Sequence, residues 1–275
     1  MEGGDPATLG FTGIRPSIWP RNELLAHMIM IDRAVILAAG RGTRMRELTN
    51  DIPKPMIEVR GKPVLQHIVE GLREAGVRRF LLIVGYHAET VRNFFGDGRH
   101  HAVDIEYAIQ TVQDGTGRVV NLARDFTGES PFILSYGDIL ISPVNYKRVV
   151  DLPSNCQGII TVTRGEDVTK GGAVFVNEQM ELGDLREKPK PGEAQRWSEL
   201  SQQAIPFYNA GLYAFRPSIF EFIAKLMPSP RGEYELTDAI RDLAHSGKKV
   251  KALKLTGEWA DVRDPEILAK LNQSL

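Results

Sequence analysis

Cysteine is almost missing from this chain: one residue, Cys156, in 275. A single thiol excludes an internal disulfide framework and reads as a free thiol in a reducing compartment, which points to the cytoplasm. A charge imbalance is missing too. Lys and Arg number 34 against 35 Asp and Glu, so there is no electrostatic footprint for nucleic acid or for an anionic membrane. No apolar run is long enough to span a bilayer. The start has no basic segment followed by a sustained apolar core, so no signal peptide is expected there. The 6 histidines are scattered apart from His100-His101 and show no zinc-site spacing. No internal repeat is present. What is there, a chain 42% hydrophobic, suffices for one large domain or two small ones.

Residues 1–27 differ from the rest. Gly3-Gly4-Asp5-Pro6 and the stretch from Arg15-Pro16 to Pro20 punctuate a segment with little periodicity. It is expected to be a disordered or loosely attached extension, with one folded domain over residues 28–275. From there strands and helices alternate. Arg33 to Ala39 reads as a buried strand, and Val64 to Ala75 as a helix with Leu65, Ile68, Val69 and Leu72 on one stripe. Arg79 to Val84 is a strand, Glu89 to Phe95 a helix, Ile105 to Ile109 a strand, Gly117 to Arg124 a helix and Pro131 to Tyr136 a strand. The series predicts an α/β, Rossmann-like fold: a mostly parallel mixed sheet flanked by helices on both faces.

The second half is more mixed. Strands are expected over 158–163, 172–176, 212–215 and 250–255, and helices over 218–226 and 235–244. Residues 187–203, polar and proline-containing, are expected to form a long loop over the site. Asp264-Pro265 suits the start of a last helix, with a carboxylate cap and proline at the first position. No hexapeptide repeat follows, so no C-terminal β-helix domain is expected.

The motif that carries chemistry lies just after the first strand of the series. Leu37-Ala38-Ala39-Gly40-Arg41-Gly42-Thr43-Arg44 ends an apolar run in a small-residue turn, and Pro53-Lys54-Pro55 comes next. Such a turn lets backbone N–H groups approach a phosphate chain. At the carboxyl end of a strand it stands where open α/β sheets bind ligands. It is not a dinucleotide fingerprint, which needs a third glycine, nor a P-loop, which needs Gly-Lys-Ser/Thr. Arg44 and Lys54 add two cations able to reach one anion. The plainer reading of Pro53-Lys54-Pro55 is a stiff surface loop.

Further motifs succeed one another along the chain: Gln110-Thr111-Val112-Gln113-Asp114-Gly115-Thr116-Gly117, Tyr136-Gly137-Asp138, Glu187-Lys188-Pro189, Tyr208-Asn209-Ala210-Gly211, Glu235-Leu236-Thr237-Asp238 and Trp259-Ala260-Asp261. Together, over about residues 33 to 270, the chain resembles the sugar-1-phosphate nucleotidylyltransferases, or nucleotide-sugar pyrophosphorylases. Its motifs are closest to the uridylyl- and thymidylyltransferases. The resemblance implies transfer of a nucleotidyl group from UTP or dTTP to a sugar-1-phosphate such as glucose-1-phosphate or N-acetylglucosamine-1-phosphate. Within the same class it leaves open a guanylyl- or cytidylyltransferase for another phosphorylated sugar or alcohol. Outside that class it leaves open a non-catalytic nucleotide-sugar sensor.

The resemblance also implies roles. Arg44 and Lys54 are catalytic cations. Leu37, Ala38, Ala39, Gly40, Gly42 and Thr43 hold the nucleotide, and Gln110, Gly115 and Thr116 read its base. Asp138 and Asp261 hold Mg²⁺. Gly172, Glu187, Lys188 and Asn209 take the sugar and its phosphate, Tyr208 to Gly211 forming a turn against the sugar. The bland alternatives are a strand-end glutamine at 110, a solvated loop carboxylate at 261 and an exposed ion pair at Glu187-Lys188. Arg263 departs from the resemblance, standing where the family pattern has glycine. Relatives often form homo-oligomers, but no interface is visible here.

Overall fold

The computed structural model describes residues 28–190, 192–193, 196 and 206–273. The expected extension over residues 1–27 lies outside them, as does much of the 187–203 stretch expected to loop over the site. Met28–Met30 (β1) precedes the strand that organises the sheet, Arg33–Ala38 (β2). Its side chains alternate between two cores: Ala34, Ile36 and Ala38 join one cluster, while Val35 joins the other. A strand buried on both faces needs helices on both sides.

One layer is Val64–Glu74 (α1), whose Leu65, Ile68, Val69 and Leu72 are fully buried as the stripe predicts. Arg79–Val84 (β3) follows, then Ala88–Phe95 (α2), which buries Val91 and Phe95 in the same layer, and Asp104–Ile109 (β4). The chain then crosses to the opposite face. The single helix expected over 117–124 is instead three short pieces, Thr116–Val119, Val120–Ala123 and Arg124–Thr127. Phe132–Tyr136 (β5) returns to the sheet beside β2. The parallel run is therefore β5-β2-β3-β4.

Ile139–Ile141 (β6) and Asp151–Pro153 (β7) are short, and β7 pairs with β1. Gly158–Thr163 (β8), Gly172–Val176 (β9), Leu182–Glu187 (β10) and Phe207–Phe215 (β11) bring in antiparallel pairing. Leu236–His245 (α3) covers the second face with Leu236, Ala239, Ile240 and Leu243. Val250–Lys254 (β12) pairs in parallel with β8. Trp259–Asp261 (β13) and Pro265–Gln273 (α4) close the described chain. The main sheet has 9 strands and is mixed, with helices on both sides.

Asp264 caps α4, its carboxylate accepting the Ile267 N–H at 3.0 Å. Among the described residues no helix is long and apolar enough to cross a membrane.

Two expectations are corrected. β11 begins at Phe207, not Leu212, so the Tyr208-Asn209-Ala210-Gly211 segment lies inside a strand and is not a turn. All of β11 is buried, because it is flanked by β5, β8 and β9; burial on both faces removes the alternation that marks a strand. Its register against β8 slips, with Ile160 opposite Tyr213 but Val162 opposite Asn209. The second correction is β10, a strand with no counterpart among the expected elements. It is an edge strand whose Leu-Gly-Asp-Leu-Arg-Glu sequence lacks the β-branched and aromatic residues that advertise strands.

Candidate active site

β2 leads to β3 and β4 on one side and lies against β5 on the other. The sheet's order therefore reverses between β2 and β5, and at such a point the loops beyond the strand ends diverge and leave a crevice. A cavity of about 440 Å³ opens there. Leu37, Ala39 and Gly40 line it, while Ala38 is fully buried in the core. Gly42 sits at φ +69°, and a Cβ on it would lie 2.8 Å from Lys54 Cβ. The turn needs glycine both for its left-handed backbone and for room to pass the lysine. Thr43 opens a 3₁₀ turn, Thr43–Thr49, and its side chain lies outside what is described. Arg44, exposed on that turn, borders the cavity.

Lys54 is not on a surface loop. Pro53 leads into the short turn Lys54–Met56, and Lys54 is only 7% exposed. Its ammonium donates to Asp138 and, at 3.3 Å, to Asp261 Oδ1. Burial pulls the ammonium's pKa down, but Asp138 and then Asp261 pull it up, and the net shift is upward. Lys54 is thus held as a cation.

The two carboxylates meet through backbone pairing. The Gly137 N–H donates to Leu37 O at 3.0 Å, which fixes the exit of β5. β6 then pairs antiparallel with β13, with Ile139 opposite Asp261, and the Val262 N–H donates to Asp138 O at 2.9 Å. Asp261 is therefore a half-buried strand residue rather than a solvated loop carboxylate. Burial, and then the neighbouring Asp138, raise its pKa above the ordinary value against the pull of Lys54. Two crowded carboxylates are a hard-oxygen donor set that favours a cation between them. Among the described residues no third His, Cys, Asp or Glu completes a cluster. A pair of this kind fits Mg²⁺, which takes few protein ligands and fills the rest with water and phosphate oxygens.

Gln110, Gly115 and Thr116 line the cavity too. The Gln110 side-chain amide donates to Val112 O at 2.9 Å. Gly115 has φ +116°, and a Cβ there would fall 2.5 Å from Tyr234 O. Only glycine lets this turn lie against the backbone of 234, where Tyr234 N–H donates to Asp114 O and Gly117 N–H donates to Tyr234 O, both at 2.7 Å.

Gly172, which also lines the cavity, stands opposite Glu187 across β9 and β10, and Asn209 lies on β11 beside Gly172. Asn209 donates to Tyr213 Oη at 2.8 Å, but its buried Oδ1 has no hydrogen-bond partner. A buried acceptor left open on a cavity wall calls for a ligand's donor. Burial pushes the Glu187 carboxyl up; Lys188 opposes this and Glu235 adds to it, for a net rise. Lys188 sits at φ +41°, held by its N–H on Gly171 O at 2.6 Å. A lysine in the left-handed region stores roughly 1 kcal/mol of strain, a feature that concentrates at functional sites.

Nothing in the sequence pattern warns of Arg231. It borders the same cavity, with Nη2 2.6 Å from Glu235 Oε1, 3.5 Å from Glu233 Oε2 and 3.9 Å from Glu187 Oε1. A lone arginine in a Pro- and Gly-rich turn reads as solvated. Trp259 also lines the cavity, its Nε1–H donating to Ala210 O at 2.9 Å and its ring 5.4 Å from that of Tyr208.

Residues 33–275 match the model of the Nucleotidyl transferase family. The chain is 34% identical over 243 residues to the bifunctional protein GlmU of Methanococcus maripaludis, covering 88% of this chain and 54% of that protein. It thus spans about half the length of that relative. It is 31% identical over 247 residues to the UTP–glucose-1-phosphate uridylyltransferase AglF of Haloferax volcanii, covering 88% of this chain and 96% of AglF. A crystal structure of a UDP-glucose pyrophosphorylase complexed with UDP-glucose superposes with a TM-score of 0.77 at 25% identity, over 89% of this chain and 98% of the other.

Proposed function

The chain belongs to the nucleotidyl transferase family, and on that premise we propose that it transfers the uridylyl group of UTP, or the thymidylyl group of dTTP, to a sugar-1-phosphate. Glucose-1-phosphate and N-acetylglucosamine-1-phosphate are the acceptors proposed. A phosphate oxygen of the sugar phosphate bonds to the α-phosphorus, the bridge to the β-phosphorus breaks, and pyrophosphate leaves with that electron pair. A phosphate monoester loses its second proton near pH ~6, so no side chain has to remove a proton. The task is to bring two polyanions together, which makes positioning and charge neutralisation the whole of catalysis.

Arg44 binds the β- and γ-phosphate oxygens and stabilises the departing pyrophosphate. Lys54 serves the α-phosphate, giving up part of its contact with the carboxylates to do so. Asp138 and Asp261 would hold Mg²⁺, which when bound offsets phosphate charge. Gln110 offers one acceptor and one donor to the N3–H and a carbonyl of uracil, exchanging its present bond to Val112 O. The methyl group of thymine is worth only about 1–3 kcal/mol in such a pocket, so UTP and dTTP are both substrates. Glu187 accepts sugar hydroxyl hydrogen bonds, the open Oδ1 of Asn209 takes another donor, and Lys188 meets the sugar's phosphate.

One observation carries the reading. One cavity gathers a glutamine and a glycine turn, two lysine-bridged aspartates, and a glutamate beside an open asparagine acceptor. The names of AglF and of the UDP-glucose complex favour uridine and glucose. The test is pyrophosphate release from ATP, GTP, CTP, UTP and dTTP with each of the two sugar phosphates in Mg²⁺. Fastest release with UTP or dTTP is expected. Preference for GTP or CTP would sink the base assignment, and tight nucleotide binding without turnover would sink the reaction.

A further inference from the structure

Arg263 is unused by the chemistry above. Its side chain is 14% exposed, and Nη2 donates to Glu166 Oε2 at 3.0 Å. The other terminal nitrogen, Nη1, is buried without a hydrogen-bond partner and lies 3.8 Å from Asp261 Oδ2. The Arg263 backbone N–H donates to Asp261 O at 2.8 Å. Leaving a buried guanidinium nitrogen unpaired is costly. A purely structural ion pair has no need of that arrangement, whereas a cation poised between two site elements does.

Glu166 lies on the connection between β8 and β9. Among the described residues Arg263 is its one ion-pair partner. The rest of the connection is stiffened from within: Asp167 accepts hydrogen bonds from Thr169 N at 3.1 Å and Oγ1 at 2.6 Å, capping the turn Val168–Lys170. It ends at Gly171, whose carbonyl takes the Lys188 N–H and on which a Cβ would lie 2.3 Å from Tyr208 Oη. Gly172 is next, opposite Glu187. An unbroken set of contacts therefore joins Asp261 to Lys188 and Gly172, and in it Arg263–Glu166, at 3.0 Å, is the ion pair that ties the β13 side to the β8–β9 connection.

We propose that Arg263 and Glu166 form a strut that sets the sugar-side wall of the cavity against Asp261, making Arg263 a positioning residue for the sugar phosphate and not for the nucleotide. This rests on the reading of the cavity as a nucleotide half and a sugar half. The strut acts through Glu166 on Gly171, and from there on the Lys188 backbone. The nucleotide side meets this set of contacts at its two ends, through Lys54 at Asp261 and Arg231 at 3.9 Å from Glu187 Oε1, while among the described residues the ion pairs of Arg263 and Glu166 are with each other and with Asp261.

The test is steady-state kinetics with UTP and glucose-1-phosphate as probes, alongside thermal unfolding of each variant. Glu166→Gln and Arg263→Gln should each raise KM for glucose-1-phosphate at least about fivefold and leave KM for UTP within about twofold. The double variant should be no worse than the worse single, because both remove one interaction. Arg263→Lys, which keeps the charge, should recover part of the loss and guards against a variant that fails to fold. Equal rises in both KM values, no rise in either, or additive losses in the double variant overturn the strut while wild-type turnover leaves the proposed reaction standing. Absence of wild-type turnover with every triphosphate overturns the reaction, and the strut's role with it.

Discussion

The two halves of the cavity are built differently. On the nucleotide side β2, β4 and β5 run parallel, and the candidate residues lie in the segments beyond their carboxyl ends: Gly40 and Arg44 after β2, Gln110 after β4, Asp138 after β5. On the sugar side the pairing is mostly antiparallel and, Lys188 apart, the residues belong to the strands themselves. Gly172 begins β9, Glu187 ends β10, and Asn209 lies within β11. A loop residue can change with little effect on the core, whereas a strand residue is part of the packing it sits in. Loss on the nucleotide side should therefore remove rate while stability holds. Loss on the sugar side should move binding and stability together.

The sharpest way to break this comparison is Asp138→Asn. Turnover should fall at least about 100-fold while the far-ultraviolet spectrum shows the fold intact, because the carboxylate acts on transition-state charge. Near-wild-type turnover would remove Asp138 from the site. Arg44→Ala comes next, with kcat/KM down by roughly 10- to 100-fold for every sugar phosphate and no loss of thermal stability, since the side chain is exposed. An effect confined to one sugar would blur the division.

Gly172→Ala tests the other half. The added methyl would sit 2.9 Å from Asn209 Cβ, so KM for the sugar phosphate should rise about tenfold and the melting temperature should fall by a few degrees, about 1–2 kcal/mol of overpacking. An unchanged KM would show that the sugar lies elsewhere.

The smallest effect expected is on stability at Glu187. Its folded-state pKa is raised by burial, so the folded protein binds a proton more tightly than the unfolded chain, and stability falls as pH rises from the ordinary carboxylate value through the folded-state value. Glu187→Gln should therefore raise the melting temperature at neutral pH by about 2 °C. The gain should fade below the ordinary carboxylate pKa of 4.5, where both forms are neutral. A gain that persisted in acid would point to packing rather than charge.

The same contrast explains which parts of the molecule are legible in the sequence. The parallel half can be read because its strands are short apolar or alternating runs and its candidate residues fall in glycine- and proline-marked turns, as at Gly40–Arg44 and Pro53–Pro55. The sugar half is legible mainly through resemblance. β11 carries no alternation to read, and β10 is a polar edge strand. Asp261 looks like a loop residue because its strand exists only by pairing with β6, a contact no local pattern encodes. Arg231 escapes for a related reason: its meaning lies in three carboxylates brought from two segments. The stiff lysine turn is visible in the sequence, but no local sign shows that its side chain is buried between two aspartates.

The pairing of β6 with β13 also governs when the site comes into being. Lys54 is separated from Asp138 by 84 positions and from Asp261 by 207, and ribosomes deliver about 5–20 residues per second. A nascent chain exposes its glycine turn and its lysine early, yet the second aspartate emerges many seconds later. Until Trp259–Asp261 docks, the first aspartate has only the lysine to answer it, so the lysine-bridged pair of carboxylates is complete only late in synthesis.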